Sequence, residues 1–80
     1  LHKIARLINK EKYQKDLGKR IRELREKKGV SLKEFESLDD ALDRSQLSKI
    51  ETGQTSPNVY TLYRIAQVLG VEITDFFKFK

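Results

Sequence analysis

The side chains richest in hydrogen-bonding groups crowd between positions 44 and 56. Arg44, Ser45, Gln46, Ser48 and Lys49 surround two apolar residues, Leu47 and Ile50, and Thr52, Gln54, Thr55 and Ser56 follow at once. Such residues offer charge, donors and acceptors to a polar partner, but covalent chemistry needs a nucleophile or a general base as well. The chain has no Cys, which excludes a thiol nucleophile, a disulfide scaffold and Cys-based zinc or iron–sulfur sites. Its one histidine, His2, lies near the terminus with no second ligand type beside it. Ser and Asp occur near one another without a His or Cys to activate them. The paired carboxylates Asp39 and Asp40 fall in an expected loop with no pocket implied. The reading is therefore not an enzyme, with no metal and no small-molecule cofactor expected.

The partner's charge is suggested by where the cations sit. Residues 1–30 carry eleven Lys/Arg against four Asp/Glu, a net of +7, and residues 31–80 carry six against eight, a net of −2. A basic half joined to a near-neutral half points to a polyanion, either nucleic acid or an anionic membrane surface. The acidic stretch Glu34, Glu36, Asp39, Asp40 and Asp43 must be largely excluded from any such surface. No apolar run approaches a membrane span and no signal-peptide pattern opens the chain, so no membrane partner is expected. The absence of Cys suits a reducing cytosol.

The elements that must position these residues read almost entirely as helix, in one domain of 80 residues. Leu17, Ile21 and Leu24, with Tyr13 extending the stripe backward, predict a helix from about 12 to 28, with Gly29 as its stop. Ser31 and Glu34 form a capping-box pattern for a short helix over 31–38, whose buried stripe is Leu32, Phe35 and Leu38. Asp43 caps a third helix over 44–52, with Leu47 and Ile50 inward and Gly53 at its end. After the turn through Pro57, Asn58 caps a fourth helix with core positions Val59, Leu62, Ile65, Ala66 and Leu69. A last short helix over Ile73–Phe77 carries Phe76 and Phe77. No alternating segment supports a sheet. Leu1, Ile4, Ala5 and Ile8 form a separate apolar set, nearly opposite the Tyr13–Leu24 stripe. Either the chain breaks near Asn9–Glu11 or the first turns pack elsewhere. Residues 1–11 are thus expected to be a basic arm or helical extension, and residues 12–80 the main domain.

Two short helices joined tightly, the first capped and the second polar on its outer side, follow the grammar of a DNA-binding helix-turn-helix. At the level of residues, the stretches GKRIRELREKKGVSLKEF and DRSQLSKIETGQTSPNVYTLYRIAQVLGV resemble the phage-repressor family of helix-turn-helix regulators. This family comprises the Cro and lambda-type repressors and their bacterial relatives. The likeness spans about residues 17–77 and is most specific at Ser45–Gly53, Ser56-Pro57 and Ile65-Ala66. It departs from the family pattern at Leu32, where Gln is usual, at Glu36, where Ala is usual, and in a turn without Gly that is one residue longer.

The resemblance implies an all-α, compact, five-helix lambda-repressor-like domain. It implies sequence-specific binding of double-stranded DNA, with a palindromic operator, by a transcriptional regulator acting as repressor or autoregulator in the bacterial cytoplasm and nucleoid. It places Arg44, Ser45 and Lys49 at base-reading positions with Gln46 near them. Arg and Lys suit guanine, and Gln suits adenine. Thr52, Gln54, Thr55 and Ser56 are expected on phosphates, through side chains and backbone N–H groups. The resemblance also sets Arg25 opposite Glu51 as a structural ion pair. A homodimer is expected through Ile73, Phe76, Phe77 and Phe79, because one small globule cannot easily bury three Phe within four residues. Leu1, Ile4 and Ile8 form a rival interface. The competing function is a protein-interaction module or antitoxin subunit that keeps the helix-turn-helix shell and binds a protein partner.

Overall fold

The computed structural model describes residues 9–79. The expected N-terminal arm and the rival interface at Leu1, Ile4 and Ile8 lie outside the described residues. The elements are α1 (Lys10–Lys27), α2 (Leu32–Leu38), α3 (Arg44–Glu51), α4 (Val59–Leu69) and a 3-10 helix (Ile73–Phe77). The first helix starts at Lys10 rather than near residue 12, because the Asn9 side chain caps it, accepting from the Lys12 N–H at 3.0 Å. The fifth element is a 3-10 helix rather than an α-helix. It spans five residues and is closed by Asp75, which accepts from the Glu72 N–H at 3.0 Å.

The core collects one stripe from each element: Leu17, Ile21 and Leu24 of α1, Phe35 of α2, Leu47 and Ile50 of α3, Leu62, Ile65, Ala66 and Leu69 of α4, and Phe76. Two expectations fail here. Leu38 is 62% exposed, because α2 ends with it and the next buried apolar residue is Leu42, in the turn. Val59 is 74% exposed, since the first turn of α4 projects past the end of the core. Of the residues expected at a dimer interface, Phe76 is fully buried in the core, and Ile73 and Phe79 are partly buried against it. Tyr13, at the outer end of the α1 stripe, is only partly covered.

The turn between α2 and α3 is built without glycine. Asp39 caps the end of α2 and is almost completely buried. One of its oxygens, Oδ1, accepts from the Ala41 N–H at 2.9 Å and also pairs with Arg64 of α4. The guanidinium of Arg64 in turn lies 5.7 Å from the Tyr60 ring centroid, a cation–π arrangement. An Asp that makes its own side-chain turn and a charge pair thus does what a glycine would otherwise do through its φ angle.

Candidate nucleic-acid interface

Helix α3 is anchored on its inner side and at both ends. Leu47, Ile50 and Glu51 are buried. At its start the Asp43 carboxylate accepts from the Gln46 N–H at 2.8 Å, and the Gln46 Oε1 accepts from the Asp43 N–H at 3.0 Å, a reciprocal box that satisfies two helix-end donors. At its end Arg25 of α1 grips Glu51 with two parallel bonds, Nε to Oε2 at 2.7 Å and Nη2 to Oε1 at 3.0 Å. The third arm, Nη1, donates to the Val30 carbonyl at 2.7 Å. The planar fork of Arg therefore ties α1, α3 and the loop after α1 together. The Glu51 carboxylate holds the guanidinium proton even more firmly than usual, against an opposing effect of burial.

The closeness of α1 and α3 depends on Gly18, which sequence reasoning missed. A Cβ there would lie 2.6 Å from the Glu51 carbonyl oxygen and closer still to that of Ile50. The available signal was a glycine in the middle of a helical stripe, where it costs about 1 kcal/mol against Ala and so needs a packing reason. Gly53, at φ +78°, closes the end of α3 against the Lys15 stem, and its carbonyl accepts from Gln14 Nε2 at 3.1 Å.

With that side fixed, Arg44, Ser45, Gln46 and Lys49 all lie exposed on the outer side of α3, with Ser48 partly covered. Ser45 and Lys49 are one turn apart and point farthest from the core. Arg44 faces α2, where Glu36 accepts from its N–H at 3.1 Å and from its Nε at 3.3 Å. Gln46 faces the opposite flank, with its carbonyl oxygen committed to the cap. It can offer an N–H pair, but two-sided recognition of adenine would need that cap to open.

The expected phosphate residues divide in the same way. The Thr52 hydroxyl donates to the Ser48 carbonyl at 2.9 Å and accepts from Gln54 Nε2 at 2.9 Å, so its only donor is used internally. The backbone N–H groups of Gln54 and Thr55 both reach the Lys49 carbonyl, at 2.9 and 3.4 Å. Both N–H groups are thus engaged in closing the end of α3. The side chains of Thr55 and Ser56 remain exposed beside a cleft of about 360 Å³ between α3 and the start of α4, also lined by Gln46, Lys49, Asn58 and Thr61. The structure thus brings Gln46 and Lys49 together with Thr55 and Ser56.

Among the described residues, no group of three or more His, Cys, Asp or Glu is placed to hold a metal ion, and no helix is long and apolar enough to cross a membrane. A family model described as helix-turn-helix matches residues 21–76, from the middle of α1 to Phe76. The chain belongs to the helix-turn-helix family. This helix-turn-helix domain is 35% identical over 60 residues to the HTH-type transcriptional regulator PuuR of Escherichia coli, covering 75% of the chain and 32% of PuuR. It is 37% identical over 62 residues to the HTH-type transcriptional regulator SlrR of Bacillus subtilis, covering 76% of the chain and 40% of SlrR. An uncharacterized HTH-type regulator of Sinorhizobium fredii, y4dJ, is 38% identical over 55 residues, covering 69% of the chain and 70% of that protein. The chain therefore spans about a third of PuuR and two fifths of SlrR. The crystal structure of the DNA-binding domain of BldD superposes with a TM-score of 0.77 at 25% identity, over 82% of this chain and 94% of that one. The helix-turn-helix domain is thus all-α, with four helices and a 3-10 turn among the described residues, broadly like the lambda repressors, and of the kind carried by bacterial transcriptional regulators.

Proposed function

We propose that this chain binds double-stranded DNA sequence-specifically as a transcriptional regulator, a repressor or autoregulator, with α3 in the major groove. The observation that carries the proposal is the division of α3. Leu47, Ile50 and Glu51 are locked into the body, while Ser45 and Lys49 point outward as a row of donors with Arg44 exposed on the flank beside α2. Arg44 and Lys49 reach guanine O6 and N7, Ser45 reaches whichever base lies between, and Gln46 contributes its free N–H pair. Thr55 and Ser56 bind phosphate with their hydroxyls, while Thr52 and Gln54 stiffen the turn that presents them. The relatives named as transcriptional regulators, and a solved domain named as DNA-binding, support this reading.

The test is fluorescence anisotropy on a preferred duplex and on a scrambled one, across a salt series. Arg44→Ala is expected to cost about 1–3 kcal/mol on the preferred site and little on the scrambled one. Thr55→Ala and Ser56→Ala are expected to weaken both alike. Equal loss of Arg44→Ala on both duplexes would demote Arg44 to a phosphate contact, and no loss would remove α3 from the groove. A second reading, docking of a protein partner, is favoured by Leu38, Val59, Tyr60 and Tyr63, which are 52–74% exposed. Under that reading, binding is insensitive to the α3 outer row.

The operator is proposed to be palindromic and the protein a homodimer, which places two copies of α3 about 34 Å apart. Of the C-terminal residues expected at the interface, Phe77 is the most exposed, at 45%, while Ile73 and Phe79 are partly buried.

A further inference from the structure

Arg44 does not stand free on the surface of α3. The Glu36 carboxylate of α2 spans the gap between the two helices and takes both of the groups that fix the start of the Arg44 side chain. Oε2 accepts from the backbone N–H at 3.1 Å, and Oε1 accepts from Nε at 3.3 Å. That contact leaves the Nη1 and Nη2 groups outside it. Glu36 is half-buried, whereas the Arg44 side chain is 54% exposed, so the carboxylate is the fixed partner and the guanidinium the presented one. Asp43 already caps the helix through Gln46, so Glu36 is not needed for that cap.

We infer that Glu36 is a specificity-determining residue, which positions Arg44 for a base edge and discourages its use on phosphate. This inference rests on the proposed role of α3 in the major groove. Two physical effects follow from the geometry. Holding Nε removes one way for the guanidinium to approach its partner and directs the two Nη groups outward as a fork, the arrangement that matches guanine O6 and N7. A carboxylate this close to the cation also lowers the attraction of Arg44 for phosphate oxygens, which are available at every site. The pair therefore trades indiscriminate affinity for discrimination between base pairs.

Selection of bound sequences from random duplex DNA tests the inference, run on the wild type, Arg44→Ala, Glu36→Ala and Glu36→Gln, with thermal melting of each. The wild type and Arg44→Ala together identify the base pair that Arg44 reads. Glu36→Ala is expected to reduce the preference at that base pair by at least about fivefold, the lower end of what a bidentate base contact discriminates. The other positions keep their preferences, and affinity for scrambled duplex rises. Glu36→Gln keeps an oxygen for the Arg44 N–H and so preserves the link between α2 and α3. It is expected to show the same change at that base pair in weaker form, which keeps the inference testable if Glu36→Ala melts early. Unchanged preference at the Arg44 base pair in both Glu36 variants overturns the role of Glu36 and leaves the α3 reading intact. Equal loss at all positions makes Glu36 merely structural and also overturns it. A wild type that enriches no sequence overturns the α3 reading and this inference together.

Discussion

At the residue scale, the most consequential contact is between Arg25 and Glu51. Both side chains are almost fully buried, and the guanidinium satisfies two carboxylate oxygens and a backbone carbonyl at once. Replacing either partner alone with Ala leaves the other charge buried without a partner, at an expected cost of about 3–5 kcal/mol. The paired replacement by apolar residues of similar volume is expected to restore much of that loss. Denaturant unfolding of the two single variants and the double variant checks this, and purely additive losses would contradict it. Gly18→Ala is expected to cost about 3 kcal/mol or more, because the new methyl group meets the backbone of Ile50 and Glu51 rather than a side chain that could swing away. Two carboxylates, an exposed Glu34 and a partly buried Asp75, give the pH dependence. Glu34 is held below its ordinary value chiefly by the Ser31 backbone N–H, and Asp75 chiefly by Lys78 and then by the Glu72 N–H. A carboxyl group whose pKa is lowered by folding stabilises the folded state above its unfolded pKa, and that contribution disappears as pH falls through the folded one. The melting temperature should therefore drop between about pH 5 and pH 2, and the drop should be shallower in Glu34→Gln and Asp75→Asn. An unchanged slope in both variants would contradict these assignments.

At the element scale, the helices were legible where their signals are local. Ser31 with Glu34, Asp43 and Asn58 each announce a helix start from within four residues, and the structure shows each of these caps formed. What stayed hidden depends on partners far along the chain. Asp39 read as a loop carboxylate because its partner, Arg64, lies 25 positions away. Leu42 belongs to no helical stripe and so gives no local signal, and because a stripe does not show where the core ends, Leu38 reads as buried although it is exposed. The outer row of α3 could be named from the sequence, but the internal commitments of Gln46, Thr52 and Gln54 could not, since they arise from how the two ends of α3 are closed. The α2–α3 turn makes the matching prediction. Asp39→Ala removes both the oxygen that accepts from Ala41 and the partner of Arg64, and is expected to cost about 1–3 kcal/mol. Asp39→Asn keeps an oxygen for the turn and should recover part of that loss, as measured by thermal melting. Equal losses in the two variants would show that the turn hydrogen bond contributes nothing.

At the scale of the whole molecule, α3 is anchored along its inner side and at both ends. Helix α3 is held by α1 through Gly18 and Arg25, by α2 through Glu36, and by the following turn, whose N–H groups reach the Lys49 carbonyl. In the proposed dimer, two such helices meet one DNA. Light scattering at tens of micromolar is expected to report a dimer, and Phe77→Asp to convert it to a monomer without unfolding it, since Phe77 lies outside the core (the concentration is an order-of-magnitude choice). A wild-type monomer at that concentration would count against the proposed interface. The face that meets DNA can be read from amide chemical shifts during titration of isotopically labelled protein with its selected duplex. Shifts concentrated on Arg44, Ser45, Ser48, Lys49, Thr55 and Ser56, with Tyr60 and Tyr63 unmoved, are the predicted result. Shifts centred on Tyr60 and Tyr63, or none on the outer row of α3, would contradict it.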